Sequence, residues 1–178
     1  MYTVHRFNEV VPFIKKNTLV VCDLDYTLVH YGKPFLEFLN EARTLMPSNQ
    51  LEDYEPTAFD LYHVHRSRNP PIHTDPAGFI HLLMEVLTQG GKLIFVTCRS
   101  PEYEPFTRQE FKTLNLDYEF FEVHYIGSQS KGEFCKRYYD RYYNRDKRYE
   151  MILIDDYKKN HRSFHALIPG SKTFLFRI

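Results

Sequence analysis

The sequence predicts an α/β fold, a mainly parallel sheet flanked by helices. Three observations predict it. Short apolar, β-branched runs alternate along the chain with helix-period patterns. Two of the runs, Leu19 to Cys22 and Leu93 to Val96, are apolar at every position, as strands covered on both faces must be. Asp75 to Val96 reads as one compact unit in which a helix turns directly into a strand.

The first strand is Leu19 to Cys22. Pro34 to Met46 follows as a helix, with Phe35, Phe38, Leu39, Ala42 and Leu45 on one stripe. Pro47 to His73 is polar, contains proline and lacks a strong period, so about 34–73 reads as an insertion on the carboxyl edge of the sheet. Asp75-Pro76 opens the next helix, Asp as cap and Pro in the first turn. Phe79, Leu82, Leu83, Val86 and Leu87 form its stripe, and Gly90-Gly91 closes it before the Leu93 strand. Val123 to Ile126 and Met151 to Ile154 are further strands, and Thr173 to Phe176 is the last.

The bulk composition excludes several classes. Lys and Arg total 23 and so do Asp and Glu, so no global field points to nucleic acid or an anionic membrane. No apolar run reaches the roughly 18 residues of a membrane span. Met1 to Lys16 lacks the apolar core and cleavage site of a signal peptide. Cys22, Cys98 and Cys135 have no metal-type spacing and read as free thiols, with Cys22 and Cys98 in the core, so a cytoplasmic protein is expected.

In open parallel sheets ligands sit at the carboxyl ends of the strands. Asp23 and Asp25 follow the first strand, Thr97 follows the second, and Asp155 and Asp156 follow the Met151 strand. Lys131 comes just beyond the Val123 strand, ahead of a helix. Acids gathered at one edge disfavour one another's charge unless a cation sits among them, and a hard divalent ion with oxygen ligands, Mg²⁺, resolves this. Thr97 and Lys131 then suit an oxyanion such as a phosphoryl group. Carboxylate attack on phosphorus is the chemistry that follows.

On these residues the chain resembles the haloacid dehalogenase-like (HAD) phosphatase superfamily, in all four of its motifs and in their order. Asp23-Leu24-Asp25-Tyr26-Thr27 is similar to the family's DxDxT motif; Thr97, Lys131 and Asp155-Asp156 are similar to the other three. The resemblance implies a single Rossmann-like core over 1–178, a small, mostly helical cap at about 34–73, and Mg²⁺ as cofactor. It implies Asp23 as nucleophile and metal ligand. Asp25 would be the acid and then the base, its backbone carbonyl also binding metal. Thr97 and Lys131 would hold the phosphoryl oxygens. Asp155 and Asp156 would complete the metal site, and which of the two coordinates directly stays open. An acid two residues after the nucleophile marks the family's phosphatases and phosphotransferases. Thr27 would support the next turn, with Val29 to Lys33 as a short helical twist and hairpin flap.

Other residues carry weaker signals. Arg99, Asn160, His63 and His65 are candidate substrate contacts, Asn160 also as a partner for the metal-site carboxylates. His161 and His165, four apart, lack further zinc ligands and read as a solvated helix face. Residues 131–148 hold seven basic residues against three acids, with Tyr138, Tyr139, Tyr142 and Tyr143 among them, a pattern shared by single-strand nucleic-acid binders. The i, i+4 spacing of these tyrosines favours packing on the sheet instead. The sequence therefore predicts a phosphomonoester hydrolase for a nucleotide or other small phosphomonoester. Its alternatives are a polynucleotide-end phosphatase or phosphotransferase, and a non-catalytic HAD-like binding module. The oligomeric state is open.

Overall fold

The computed structural model describes residues 1–45, 54–142 and 150–178. The end of the Pro34–Met46 helix, part of the insertion and the tail of the basic segment with Tyr143 lie outside the described residues. The main sheet has strands β1 (Tyr2–Val4), β2 (Leu19–Cys22), β5 (Lys92–Thr97), β6 (Glu122–Tyr125), β7 (Met151–Asp155) and β8 (Lys172–Phe176). Their order is β1-β8-β7-β2-β5-β6 and every pairing is parallel. The central strand β2 pairs with β5 on one side and β7 on the other.

The all-apolar runs behave as strands buried on both faces. Val20, Cys22, Phe95, Ile152 and Ile154 point into one core with Phe79, Leu82 and Val86 of helix α3 (Pro76–Thr88). Leu19, Val21, Ile94, Val96, Met151 and Leu153 point into another. That second core is closed by Cys135 and Tyr138 of α5 (Lys131–Tyr142) and Phe164 of α6 (Lys158–Leu167). Each such fully buried aliphatic side chain contributes about 1.5–3 kcal/mol. Asp75 caps α3 through the Gly78 N–H and also accepts the Phe7 N–H at 2.9 Å, which fastens the N-terminal segment to this helix.

After β2 the chain makes a helical turn in which the Leu24 carbonyl accepts from Leu28 and Val29 N–H, with Tyr26 in the left-handed region at φ 58°. The helical twist thus lies at 24–28, upstream of the expected 29–33, and the Thr27 hydroxyl has no described partner. Short strands β3 (Val29–His30) and β4 (Ile72–His73) pair antiparallel across the insertion. The flap is therefore a long-range pair rather than a local hairpin. Between them lie α1 (Phe35–Leu45), as its stripe predicts, and α2 (Tyr54–Arg68), in a stretch whose own residues show no strong helical period although the resemblance implies a mostly helical cap. The buried face of α2 is Tyr54, Ala58, Tyr62 and Arg66, a four-residue repeat too polar to register as an apolar stripe. Helix α4 (Glu104–Thr113) also goes unpredicted, because it buries Thr107 and Glu110 beside Phe111. No helix among the described residues is long and apolar enough to cross a membrane.

Helices α5 and α6 pack closely at Gly132, where a Cβ would run into the Ser163 carbonyl. Gly132→Ala should destabilise the fold by about 1–3 kcal/mol, the scale of overpacking. A chemical-denaturation midpoint equal to wild type would contradict this close packing.

Candidate active site

The strand register sets the first cluster. Cys22 lies beside Ile154, so Asp23 and Asp155, each one step further along its strand, emerge side by side, and the Asp23 N–H donates to the Ile154 carbonyl at 2.9 Å. Lys131, at the start of α5, is fully buried and points its ammonium between them. It lies 2.6 Å from Asp23 Oδ1 and 2.6 Å from Asp155 Oδ2. Asp156 joins the group: one carboxylate oxygen from each of Asp23, Asp155 and Asp156 lies within 4.8 Å of the others. Thr97 ends the neighbouring strand β5, buried, its Oγ1 accepting the Arg99 N–H at 3.2 Å.

The electrostatics of this cluster are unbalanced. Three carboxylates face one ammonium. Burial pushes the Asp23 carboxyl up to about 7, Lys131 opposing the rise and Asp155 and Asp25 adding to it. Burial and then Asp155 hold Asp156 well above the usual range. For Lys131, burial works against the charge, but Asp155 and Asp23 outweigh it and keep the ammonium protonated. A divalent cation fits such a donor set, because all the ligand atoms are hard oxygens and their charge exceeds what Lys131 compensates. Asp155 is already engaged: besides Lys131 it accepts from Tyr157 N–H at 2.8 Å and from Asn160 Nδ2 at 3.0 and 3.1 Å. Asp156 accepts no hydrogen bond among the described residues, so its lone pairs are the freer of the two.

Asp25 belongs to a second cluster. Arg99 grips its carboxylate with Nε at 2.8 Å and Nη2 at 2.9 Å, and the Tyr62 hydroxyl of α2 donates to it as well. Arg99 Nη1 continues to Thr107 Oγ1 at 2.8 Å and Glu110 Oε2 at 2.5 Å. Glu110 also accepts from Arg66 Nε at 2.8 Å and from the Tyr31 hydroxyl. Burial alone would raise the Asp25 carboxyl, but the Arg99 guanidinium outweighs it and holds the group below the usual carboxylate range. Asp25 is ionised in this state. The Tyr62 hydroxyl is held protonated by burial and by the Asp25 charge, which fixes it as donor.

The sequence-predicted residues thus fall into two groups. Asp23, Lys131, Asp155, Asp156 and Asn160 meet in the first. Asp25 and Arg99 meet in the second, where Arg99 is buried against the carboxylates of Asp25 and Glu110. His63 stacks on Tyr103 with ring centroids 5.1 Å apart, at the seam between insertion and core. His65 Nε2 bonds the Tyr31 carbonyl at 2.8 Å. His161 is buried, its Nε2 on the Asp155 carbonyl at 2.9 Å, so it is no solvated face, and His165 bonds Thr173. Cys98, expected in the core, is exposed. Glu110, Arg66, Tyr62, Tyr31 and Thr107 escape the sequence reading. For Tyr62 and Arg66 the one signal is the four-residue spacing with Tyr54 and Ala58, which marks a helix face without marking its chemistry.

No family model and no curated protein matches the sequence. Solved structures match its shape. A hydrolase from Streptococcus pneumoniae TIGR4 aligns with TM-score 0.56 at 18% identity, over 91% of this chain and 94% of that one. The HAD domain of the effector protein Lem4 from Legionella pneumophila, in an inactive mutant form, aligns at 0.55 and 12%, over 92% and 86%. A Thermotoga maritima protein assigned as a beta-phosphoglucomutase aligns at 0.54 and 14%, over 87% and 83%. The chain has the haloacid dehalogenase-like fold, a Rossmann-like α/β core.

The raised Asp23 carboxyl has a measurable sign. In a metal-free chain its contribution to stability is whole below the unfolded value of 3.8 and is lost as pH rises through about 7. Asp23→Asn removes the ionisation, so its melting temperature should gain on wild type as pH rises from about 4 to about 8 in chelator. A gap that stays constant or narrows would show that Asp23 ionises freely.

Proposed function

We propose that the chain is a Mg²⁺-dependent phosphomonoester hydrolase that works through an aspartyl-phosphate on Asp23. The observation that carries this reading is the Lys131 ammonium bridging Asp23 and Asp155, with Asp156 beside them at the carboxyl edge of a HAD-like sheet. Asp23, Asp156, the Asp25 carbonyl and Asp155 are the groups that would hold the metal. When bound, Mg²⁺ offsets the carboxylate charge and polarises the phosphoryl group.

In the first step a carboxylate oxygen of Asp23 attacks phosphorus. The P–O ester bond breaks, its electron pair leaves on the ester oxygen, and that oxygen takes a proton. The Lys131 ammonium and the Thr97 hydroxyl donate to the phosphoryl oxygens as charge develops on them. In the second step Asp25 takes a proton from water, the water oxygen attacks phosphorus, and the Asp23–phosphorus bond breaks to release inorganic phosphate. Held ionised by Arg99, Asp25 stands ready for this second step. To donate in the first step it must take up a proton, which the negative phosphoryl group arriving beside it favours and the Arg99 pair opposes.

The proposed substrate is a small phosphomonoester, a nucleotide above all. The insertion is small, and the His63–Tyr103 pair at its seam offers stacked rings to a base. A nucleic-acid role draws less support: Tyr138 is buried against His124, its hydroxyl 3.1 Å from Lys92 Nζ, so the basic helix uses that ring for packing. Free thiols at all three cysteines suit a reducing, cytoplasmic setting.

Purified protein should hydrolyse para-nitrophenyl phosphate with Mg²⁺, lose activity in chelator and regain it on adding Mg²⁺. Asp23→Asn should lower the rate on the order of 10³-fold or more, the scale of removing a nucleophile. A wild-type chain inert across divalent metals and a broad phosphomonoester panel would leave the binding-module reading in its place.

A further inference from the structure

The buried polar cluster behind Asp25 contains four residues that belong to no motif: Glu110, Arg66, Tyr31 and Tyr62. Glu110, on α4, is its centre. One carboxylate, 7% exposed, receives Arg99 from the loop after β5, Arg66 from α2 of the insertion and the Tyr31 hydroxyl from the flap. Arg99 passes the connection on to Asp25 with two parallel bonds, and Tyr62, one turn before Arg66 on α2, reaches the same carboxylate directly. The charges balance within the cluster, Asp25 and Glu110 against Arg66 and Arg99. Removing one partner would leave a buried charge without its counter-charge. Arg66 is further held between the rings of Tyr31 and Tyr103, 5.6 Å from each centroid.

We infer that Glu110 is a positioning residue for Asp25: it fixes Arg99, Arg99 fixes the carboxylate, and Tyr31, Tyr62 and Arg66 make that orientation depend on the insertion being docked. The insertion is then part of the machinery that aims Asp25 at water and does more than cover the site. Bidentate grip by a guanidinium sets both the position and the plane of a carboxylate, which a single hydrogen bond does not. A displacement of about 1 Å in such a group costs on the order of 100-fold in rate. The inference rests on the hydrolase reading above.

The test is stopped-flow turnover of para-nitrophenyl phosphate with Mg²⁺ by wild type, Glu110→Gln, Tyr31→Phe and Tyr62→Phe. The two Tyr→Phe variants each delete one hydroxyl, so they keep the test alive if Glu110→Gln does not fold. Nitrophenolate is a good leaving group, so the first step barely needs a proton donor, while hydrolysis of the aspartyl-phosphate still needs Asp25. The variants should keep a rapid burst of about one equivalent of nitrophenolate. Their steady-state rate should fall on the order of 10- to 100-fold, kcat and KM falling together so that kcat/KM holds. Burst and steady-state rates falling in parallel would mean general damage, and unchanged rates would mean no influence on Asp25; either overturns the inference. A wild type that releases no nitrophenolate refutes the hydrolase reading itself, an outcome separate from both.

Discussion

One buried ammonium organises the candidate site. Lys131 is wholly removed from water and is stable there only because Asp23 and Asp155 both meet it at 2.6 Å. That meeting depends on the parallel register of β2 and β7, which brings the two strand ends level. It also depends on the close approach of α5 and α6 at Gly132, immediately after the lysine. The cores on the two faces of the sheet hold these elements rigidly, so the three groups are placed by the fold and not by flexible loops. With Asp156 added, negative charge exceeds what one ammonium can offset, a donor set that a divalent cation would fit.

The second polar cluster has a different logic. Asp25, Glu110, Arg66 and Arg99 are balanced, closely bonded and buried, so they call for no added ion. With Tyr31 they join five segments of chain, two of them from the insertion and its flap. The insertion also shares an apolar cluster with the core through Phe38, Ala42 and Ala58, but such packing lacks the directional bonds that orient the Asp25 carboxylate. The separation of Asp23 from Asp25 into an unbalanced and a balanced network gives two carboxylates of one motif opposite proton affinities. Asp23 is pushed up by burial and its acidic neighbours, and Asp25 is drawn down by Arg99.

Much of this was legible in the sequence, and the illegible parts share a cause. Strands buried on both faces announce themselves as unbroken apolar runs, so β2, β5 and β7 and the polar residues at their ends could be read directly. Helix α3 shows its cap, its stripe and its closing glycines. Helices α2 and α4 do not, because their buried faces carry Tyr62, Arg66, Thr107 and Glu110. A residue pattern that serves a polar interior looks like a solvated surface until the partners are seen. Strand β1 is three residues long, too short for alternation to register, and is recruited by β8. The pairing of Arg99 was hidden for the same reason as Glu110: nothing in a single sequence distinguishes a guanidinium aimed at a ligand from one aimed at two buried carboxylates. That Asp155 is already engaged by Tyr157 and Asn160 is likewise a matter of hydrogen bonds that no spacing encodes.

The claim that three carboxylates around Lys131 leave charge for a divalent cation is tested most directly by calorimetric titration of the purified chain with Mg²⁺ near neutral pH. The account predicts one ion bound per chain, with proton release as Asp23 ionises. Asp156→Asn should abolish or sharply weaken that binding. Saturable binding that survives Asp156→Asn unchanged, or no binding by the wild-type chain, would contradict it.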